Sequence, residues 1–254
     1  MNRFEIIDPF ARQKTFGPFC ALGIMTKAPE AGKVKTRLTP PLTSAEAAGL
    51  NKCFLRDLSR SIANAAADTS SKGVAVYTPV GKEAAYDDIL AEGFMLIPQR
   101  GEGFGERLAH AVTDLLEAGF GSVCLINSDS PTVPASSFAE AANELAKPGD
   151  RIVLGPSDDG GYYLIGLKKL HRRVFEDIDW STERVLTQTL ERAQEIGVEV
   201  HQLPAGYDVD DRATLQRLCN QLLGSGNPDV APHTKRFLTK IIEREGRARI
   251  WPLE

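Results

Sequence analysis

The chain has 254 residues, 42% of them apolar, which is enough for one sizeable core of roughly 200 residues plus tails. A formal charge of −4 gives no reason to expect a nucleic acid polymer or an anionic membrane as partner. No apolar run reaches the roughly 18 residues of a membrane span.

Residues 1–18 form an extension without an assignable element. They alternate charges and aromatics and contain no continuous apolar stretch of the secretory kind. FCALGIMT (19–26) reads as a first buried strand, and KAPEAGKVKTRLTPPLT as the loop after it. Thr43 with Glu46 makes a capping box for a helix to about Ala67, with Leu50, Phe54, Leu58 and Ile62 on its core face. KGVAVYT (72–78) is a second strand, GKEAAYDDILAEG a short helix, and FMLIP (94–98) a third strand. Gly105 opens a helix with Leu108, Val112, Leu115 and Leu116 along one side. The strand in SVCLINSDSP (122–131) follows, then a helix from about Pro134 to Ala146. RIVLGP (151–156) and GYYLIGL (161–167) are strands around a Gly-rich connection. A helix from Ser181 to about Glu195, the strand VEVHQLP and a helix from Asp211 to Leu223 complete the unit. Alternating strands and helices predict a single three-layer α/β/α domain with a mainly parallel sheet over residues 19–223. Residues 224–254, GSGNP and a helix from about His233 to Arg244, read as a C-terminal helical appendage. Cys20, Cys53, Cys124 and Cys219 form no CxxC pair, and Cys20 and Cys124 fall inside apolar strands as reduced thiols. The expected location is cytoplasmic.

The stretch around which the chain is organised is SVCLINSDSP. Asp129 stands at the carboxyl end of its strand, the edge where open α/β sheets bind ligands. A carboxylate there can hold a hard divalent cation against a phosphate; the plainer alternative makes it a turn residue or a helix cap. In the first loop Lys27, Lys33, Lys35 and Arg37 put four cations into eleven residues. With free backbone N–H groups they can hold a polyphosphate, although the spacing is not that of a P-loop, and a solvated basic loop is the alternative. As a loop it should contribute little to the core, so Lys35 and Arg37 are expected to be replaceable without loss of folding. In QRGEGFGERL (99–108), Gly101 and Gly105 free the backbone to approach a flat ligand, and Gln99 can read a base edge through its amide; an ordinary glycine turn competes. Asp158 and Asp159 precede two glycines and an aromatic strand, where they can activate an acceptor hydroxyl or simply make a turn. Asp208, Asp210 and Asp211 precede a helix, so one should be its N-cap, while a second can meet Asp129 at a cation if parallel neighbouring strands bring both to one edge. Trp180 can stack on a sugar or base or belong to the core. His110, His171, His201 and His233 share no ligand spacing.

The set KAPEAGKVKTRL, QRGEGFGERL, INSDSP, DDGGYYLIGL with DWST, and DVDDRATL, in this order, resembles a bacterial family of glycosyltransferase-like proteins of the nucleotide-diphospho-sugar transferase (GT-A) superfamily. The resemblance covers about residues 19–223. The opening is also similar to 2-phospho-lactate guanylyltransferase. The superfamily implies a Mg²⁺ or Mn²⁺ ion, with a metal carboxylate falling on Asp129 and a late ligand falling on Asp210, with Asp208 as its substitute. Gln99 and the glycines after it match the base-reading segment of sugar nucleotidyltransferases, whereas the Gly-rich, Arg-containing first loop of those enzymes is missing here.

The expected function is therefore a metal-dependent transferase that takes a nucleotide or nucleotide-sugar donor and a small-molecule acceptor. Glycosyl transfer is favoured, because it needs an acceptor hydroxyl activated and so gives Asp159, or Asp158, a task. Lys27, Lys33, Lys35 and Arg37 bind the phosphates, and Lys35 and Arg37 stabilise the charge that develops on them. Two alternatives stand beside this reading: guanylyl or cytidylyl transfer to a phosphorylated small molecule with release of pyrophosphate, and a non-catalytic nucleotide-binding domain. The sequence leaves the oligomeric state open.

Overall fold

In the computed structural model, which describes residues 3–10, 16–224 and 230–252, the apolar runs become strands of one sheet. They are β1 (Glu5–Ile6), β2 (Cys20–Lys27), β3 (Ser71–Thr78), β4 (Met95–Pro98), β5 (Ser122–Ile126), β6 (Arg151–Pro156), β7 (Tyr162–Leu167) and β8 (Glu199–Gln202). The order across the sheet is β1-β4-β3-β2-β5-β7-β6-β8. β7 runs antiparallel to both neighbours, and every other pairing is parallel. β5 lies beside β2 and is buried along its whole length, which is why its sequence is a continuous apolar run rather than an alternating one. β1 comes from the N-terminal extension: Glu5 and Ile6 pair with Met95 and Leu96 at the sheet edge. Two residues are too few to carry a readable period.

The described residues form six α-helices: α1 (Ser44–Asp68), α2 (Phe104–Glu117), α3 (Ala135–Ala146) and α4 (Val185–Glu195), which pack on the sheet, and α5 (Arg212–Leu223) and α6 (Pro232–Glu245), which pack beside α1. Successive strand residues point to opposite faces, so Leu22 and Ile24 pack with Leu58 and Ile62 of α1 and Phe138 of α3. On the other face Ala21, Val123 and Leu125 pack with Leu108, Val112 and Leu115 of α2 and with Ala193 of α4. The result is the three-layer α/β/α arrangement with a mainly parallel sheet. α1 begins with the expected capping box, Thr43 and Glu46 each satisfying the other's backbone N–H, and Leu50, Phe54, Leu58 and Ile62 are fully buried.

Two elements differ from expectation. The segment 81–93 makes only a 3₁₀ turn, Glu83–Tyr86, not a helix. Gly81 and Gly93 have positive φ at either end, and so short a segment gains little from helix propagation; burial of Tyr86, Ile89 and Leu90 holds it in place instead. α4 begins at Val185 rather than Ser181, because Ser181 takes φ 66°, which a right-handed helix cannot contain.

The last helix is joined to the rest by a buried charge. Asp57 on α1 is 2% exposed and accepts hydrogen bonds from His233 N (3.0 Å), Thr234 N (2.8 Å) and Thr234 Oγ1 (2.7 Å). It thereby caps the N-terminus of α6 from a neighbouring helix, where free N–H groups and the helix dipole favour an anion. Leu238 and Ile241 of α6 then share a third core with Leu50 and Phe54 of α1 and Leu215 and Leu218 of α5. Of the GSGNP stretch only Gly224 falls within the described residues, and residues 1–2, 11–15 and 253–254 of the two terminal segments also lie outside them. No helix among the described residues is long and apolar enough to cross a membrane. Asp57→Ala should lower unfolding stability in urea by about 2 kcal/mol, the scale of a lost cap whose donors stay buried, and Asp57→Asn should recover part of that loss.

Candidate active site

β2, β3, β4 and β5 end on a cleft of about 1010 Å³, with a side recess of about 260 Å³ between the first loop and Asp129. Lys27, Arg37, Ser128, Asp129 and Asp210 line both spaces. The first loop distributes its four cations unequally. Lys33 pairs with Glu30 at 2.8 Å and is well exposed. Lys33 first, and then Lys82, pull the Glu30 carboxyl down to about 2, so the charge of Lys33 is answered at the surface. Lys27 and Arg37 make no salt bridge among the described residues and face the cleft.

Lys35 is different. Its backbone is left-handed (φ 48°, ψ 37°), and its side chain, 4% exposed, sits beneath the carboxylates that line the cleft. Nζ lies 2.6 Å from Asp129 Oδ1 and 2.8 Å from Asp210 Oδ1, and donates to Val209 O at 2.8 Å. The ammonium also lies 5.4 Å from the centre of the Phe54 ring. Burial acts to lower its pKa, but the two carboxylates outweigh burial and raise it. The premise that Lys35 is a loop residue with little share in the interior does not hold: its side chain is buried between two half-buried carboxylates, which its removal would leave facing each other.

Asp129 and Asp210 do meet, but not as the ends of neighbouring strands. β7 and β6 stand between β5 and β8, and it is the chain after β8 that travels back across the sheet. Leu203 N bonds to Leu154 O, Gly206 N to Pro156 O and Val209 N to Asp129 O, at 2.8, 2.8 and 2.9 Å. Asp208 is held inside this crossing as an acceptor for Ser130 Oγ (2.6 Å), Asn127 Nδ2 (2.8 Å) and Ser157 Oγ (3.2 Å). Burial, the largest influence, together with the charges of Asp129 and Asp159, pushes its carboxyl up to about 6, against the pull of Ser130 and Asn127. Its Oδ1 ties three loops together. Asp211 is the N-cap of α5, accepting from Thr214 N at 2.8 Å.

The Asp158–Asp159 pair divides. Asp158 bonds Arg217 at 2.7 Å, that guanidinium covers the ring of Tyr207 at 3.8 Å, and Asp158 is not part of the cleft wall, so it is withdrawn as a base. Asp159 lines the cleft; its Oδ1 accepts from Gly161 N at 3.0 Å, and Oδ2 has no partner among the described residues. Gln99 also lines the cleft, but its amide donates to Thr26 O (3.0 Å) and Val76 O (2.7 Å). Both amide hydrogens are thus spent on strand carbonyls, and only the oxygen is left for a ligand. Gly101 (φ 100°) makes the turn before α2, and a methyl at Gly105 would come within 2.8 Å of Phe175 O and the Trp180 indole. Neither glycine lines the cleft; they serve the turn and the packing of α2. Phe104 and Trp180 meet edge to face at 5.1 Å in the cleft wall. None of the four histidines lines it.

Asn51 has no sequence signal, standing mid-helix in α1. It is 4% exposed, lines the recess, and its Oδ1 is buried without a partner among the described residues. Phe104, Arg107 and Tyr162 also belong to the cleft wall; they lie within QRGEGFGERL and DDGGYYLIGL, but nothing in those stretches singles them out.

Residues 61–182 match a family model described as "Uncharacterized protein conserved in bacteria (DUF2064)". A candidate nucleotide-diphospho-sugar transferase from Desulfovibrio desulfuricans G20 is 29% identical, with a TM-score of 0.78 over 92% of this chain and 99% of the other. A cytidylyltransferase from Leptospira borgpetersenii (8% identity, TM-score 0.51, 93% of this chain and 98% of the other) shares the fold. So does a nucleotidyl transferase from Methanothermobacter (13%, 0.53, 80% and 96%). No curated protein matches the chain by sequence. The GT-A-like fold of nucleotide-diphospho-sugar transferases, implied by the sequence, is the fold of this chain.

One glycine holds together the side of the cleft next to β7. Gly160 (φ 84°) leaves 2.1 Å between a would-be Cβ and Glu183 O, and its own carbonyl accepts from Leu186 N at 2.8 Å. Backbone blocks any accommodation, so Gly160→Ala should cost roughly 2 kcal/mol or more and displace residues 181–184 from the cleft wall. Thermal unfolding reads the first effect and quenching of Trp180 fluorescence the second.

Proposed function

We propose that this chain is a transferase that takes a nucleotide-sugar donor and transfers its glycosyl group to a small hydroxyl-bearing acceptor. The observation that carries the reading is that one cleft wall holds Lys27 and Arg37, which make no salt bridge among the described residues, together with Asp159, which faces no cation and whose Oδ1 accepts from Gly161 N. A nucleoside diphosphate needs the first and an acceptor hydroxyl needs the second. The likeness to a candidate nucleotide-diphospho-sugar transferase over 92% of the chain supports it.

In this reading Asp159 accepts the proton of the acceptor hydroxyl. The acceptor oxygen forms a bond to the anomeric carbon as the bond from that carbon to the β-phosphate oxygen breaks, and the electron pair leaves on the nucleoside diphosphate. Lys27 and Arg37 stabilise the charge that builds on the leaving oxygens. Phe104 and Trp180 offer ring faces and edges to a sugar or base. A divalent ion would supply further charge neutralisation, and Asp129 and Asp210 are the oxygen donors such an ion takes. Their Oδ1 atoms, however, are already bonded to Lys35. With the Lys35 ammonium held between them, the two Oδ1 atoms do not fit the ion.

Nucleoside diphosphate should be released from a nucleotide sugar in the presence of acceptor, with no pyrophosphate released from a triphosphate. Steady pyrophosphate release from GTP or CTP with a phosphorylated acceptor would replace this reading with nucleotidyl transfer. A matching nucleotide sugar at 100 times its Kd should add about 2.7 kcal/mol to stability, a gain that Arg37→Ala should largely remove. Asp159→Asn should lower turnover by roughly two orders of magnitude or more, whereas Asp158→Asn should change it by less than about threefold, since a partly exposed ion pair contributes little.

A further inference from the structure

The structure assigns Lys35 the place of a divalent cation: its ammonium is the permanent counter-ion of the Asp129–Asp210 pair, and it excludes a metal ion from the two oxygens on which they converge. An ammonium has three hydrogens, and here all three have acceptors, Asp129 Oδ1, Asp210 Oδ1 and Val209 O, at 2.6 to 2.8 Å. The donor set is complete, with no vacant direction to draw the group elsewhere. Mg²⁺ requires its oxygens at about 2.0–2.1 Å in near-octahedral order. An ion bound to the same Oδ1 atoms would stand in contact with a fixed positive charge, and like charges that close in a partly desolvated site repel strongly.

Lys35 has nowhere obvious to retreat. Its side chain lies below the carboxylates, 4% exposed against 32% and 39% for Asp129 and Asp210, and its ammonium stands over Phe54, itself fully buried. The backbone is pinned on the following side by the turn Thr36–Leu38, whose Leu38 is buried. A non-glycine residue in the left-handed region persists when its surroundings over-determine it, and three hydrogen bonds and a buried neighbour do so here. Among the described residues no group of three metal-ligating side chains offers another seat. Two carboxylates and one ammonium leave the centre with a single negative charge, which Lys27 and Arg37 face from the cleft.

The metal-exclusion claim is independent of which transfer the cleft performs; its consequence for donor binding rests on the nucleotide-sugar reading, and the test separates the two. Mn²⁺ alone is titrated into wild type and Asp129→Asn, with bound ion read by electron paramagnetic resonance. Equal and weak binding, within about twofold, is the expected result. Wild-type binding roughly tenfold or more tighter than Asp129→Asn would overturn the assignment, whether or not any nucleotide binds. Lys35→Met should gain Mn²⁺ affinity by roughly tenfold or more, and Lys35→Met/Asp129→Asn should lose that gain. Should Lys35→Met fail to fold, the wild-type and Asp129→Asn comparison still decides. A third arm measures UDP and GDP binding to wild type in EDTA and in Mn²⁺. Affinities within about twofold of each other support Lys35 as the working cation, and a Mn²⁺-dependent gain that Asp129→Asn abolishes counts against it. Failure of both nucleotides to bind under either condition bears on the donor reading, while the Mn²⁺ titration continues to decide the role of Lys35.

Discussion

The ammonium of Lys35 is the interaction on which the rest of the cleft depends. It brings together three parts of the chain that are distant in sequence: the loop after β2, the end of β5 and the return after β8. Each alone would be an unfavourable arrangement. A left-handed lysine in a short loop is strained, and two carboxylates at one point repel. The single buried cation satisfies both conditions, and breaking it by removing one partner would leave a charge without compensation, which is where buried ion pairs cost most. The Asp208 carboxylate, with its three donors from Asn127, Ser130 and Ser157, is the second clasp on the same crossing.

That crossing explains how an open sheet builds a site from non-adjacent strands. With β7 inserted antiparallel between β5 and β6, the edge strand β8 is too far from β5 for its carboxyl end to contribute directly. The chain makes up the distance by laying residues 203–211 across the strand ends, tied by main-chain hydrogen bonds to Leu154, Pro156 and Asp129. Backbone bonds along the path fix the position of Asp210 more firmly than a free loop would, and Asp211 then starts α5 at once as its cap. The helix start and the ion pair are therefore set by consecutive residues.

Much of this was legible in the sequence. The apolar runs of β2, β3, β5, β6 and β7, the four-residue recurrence on α1 and the Thr43–Glu46 box each carry a local signal, and local signals are what a single sequence displays. The convergence of Asp129, Asp210 and the basic loop was visible as a class of chemistry. What could not be read is which of four cations would turn inward: Lys33 and Lys35 are two positions apart in the same loop, and only the left-handed turn at Lys35 sends one to the surface and the other under the carboxylates. The role of the Gln99 amide is hidden for a related reason. An amide can read a base or tie down strand carbonyls with the same two hydrogens, and the choice is made by Thr26 and Val76, which lie on other strands. Asn51 was invisible because its significance comes from the recess it lines rather than from any neighbour in sequence.

The remaining cations and carboxylates follow from the same competition. Once Lys35 is committed to Asp129 and Asp210, and Lys33 to Glu30, the first loop keeps Lys27 and Arg37 facing the cleft without a salt bridge among the described residues, and Arg107 of α2 joins them in the cleft wall. Asp158 is committed to Arg217 and the Oδ1 of Asp208 to its three donors, whereas Asp159, on the β7 side, lines the cleft with only its Oδ1 engaged, by Gly161 N. Internal pairing thus does more than stabilise the fold: it decides which charges of a crowded cleft remain to meet a ligand.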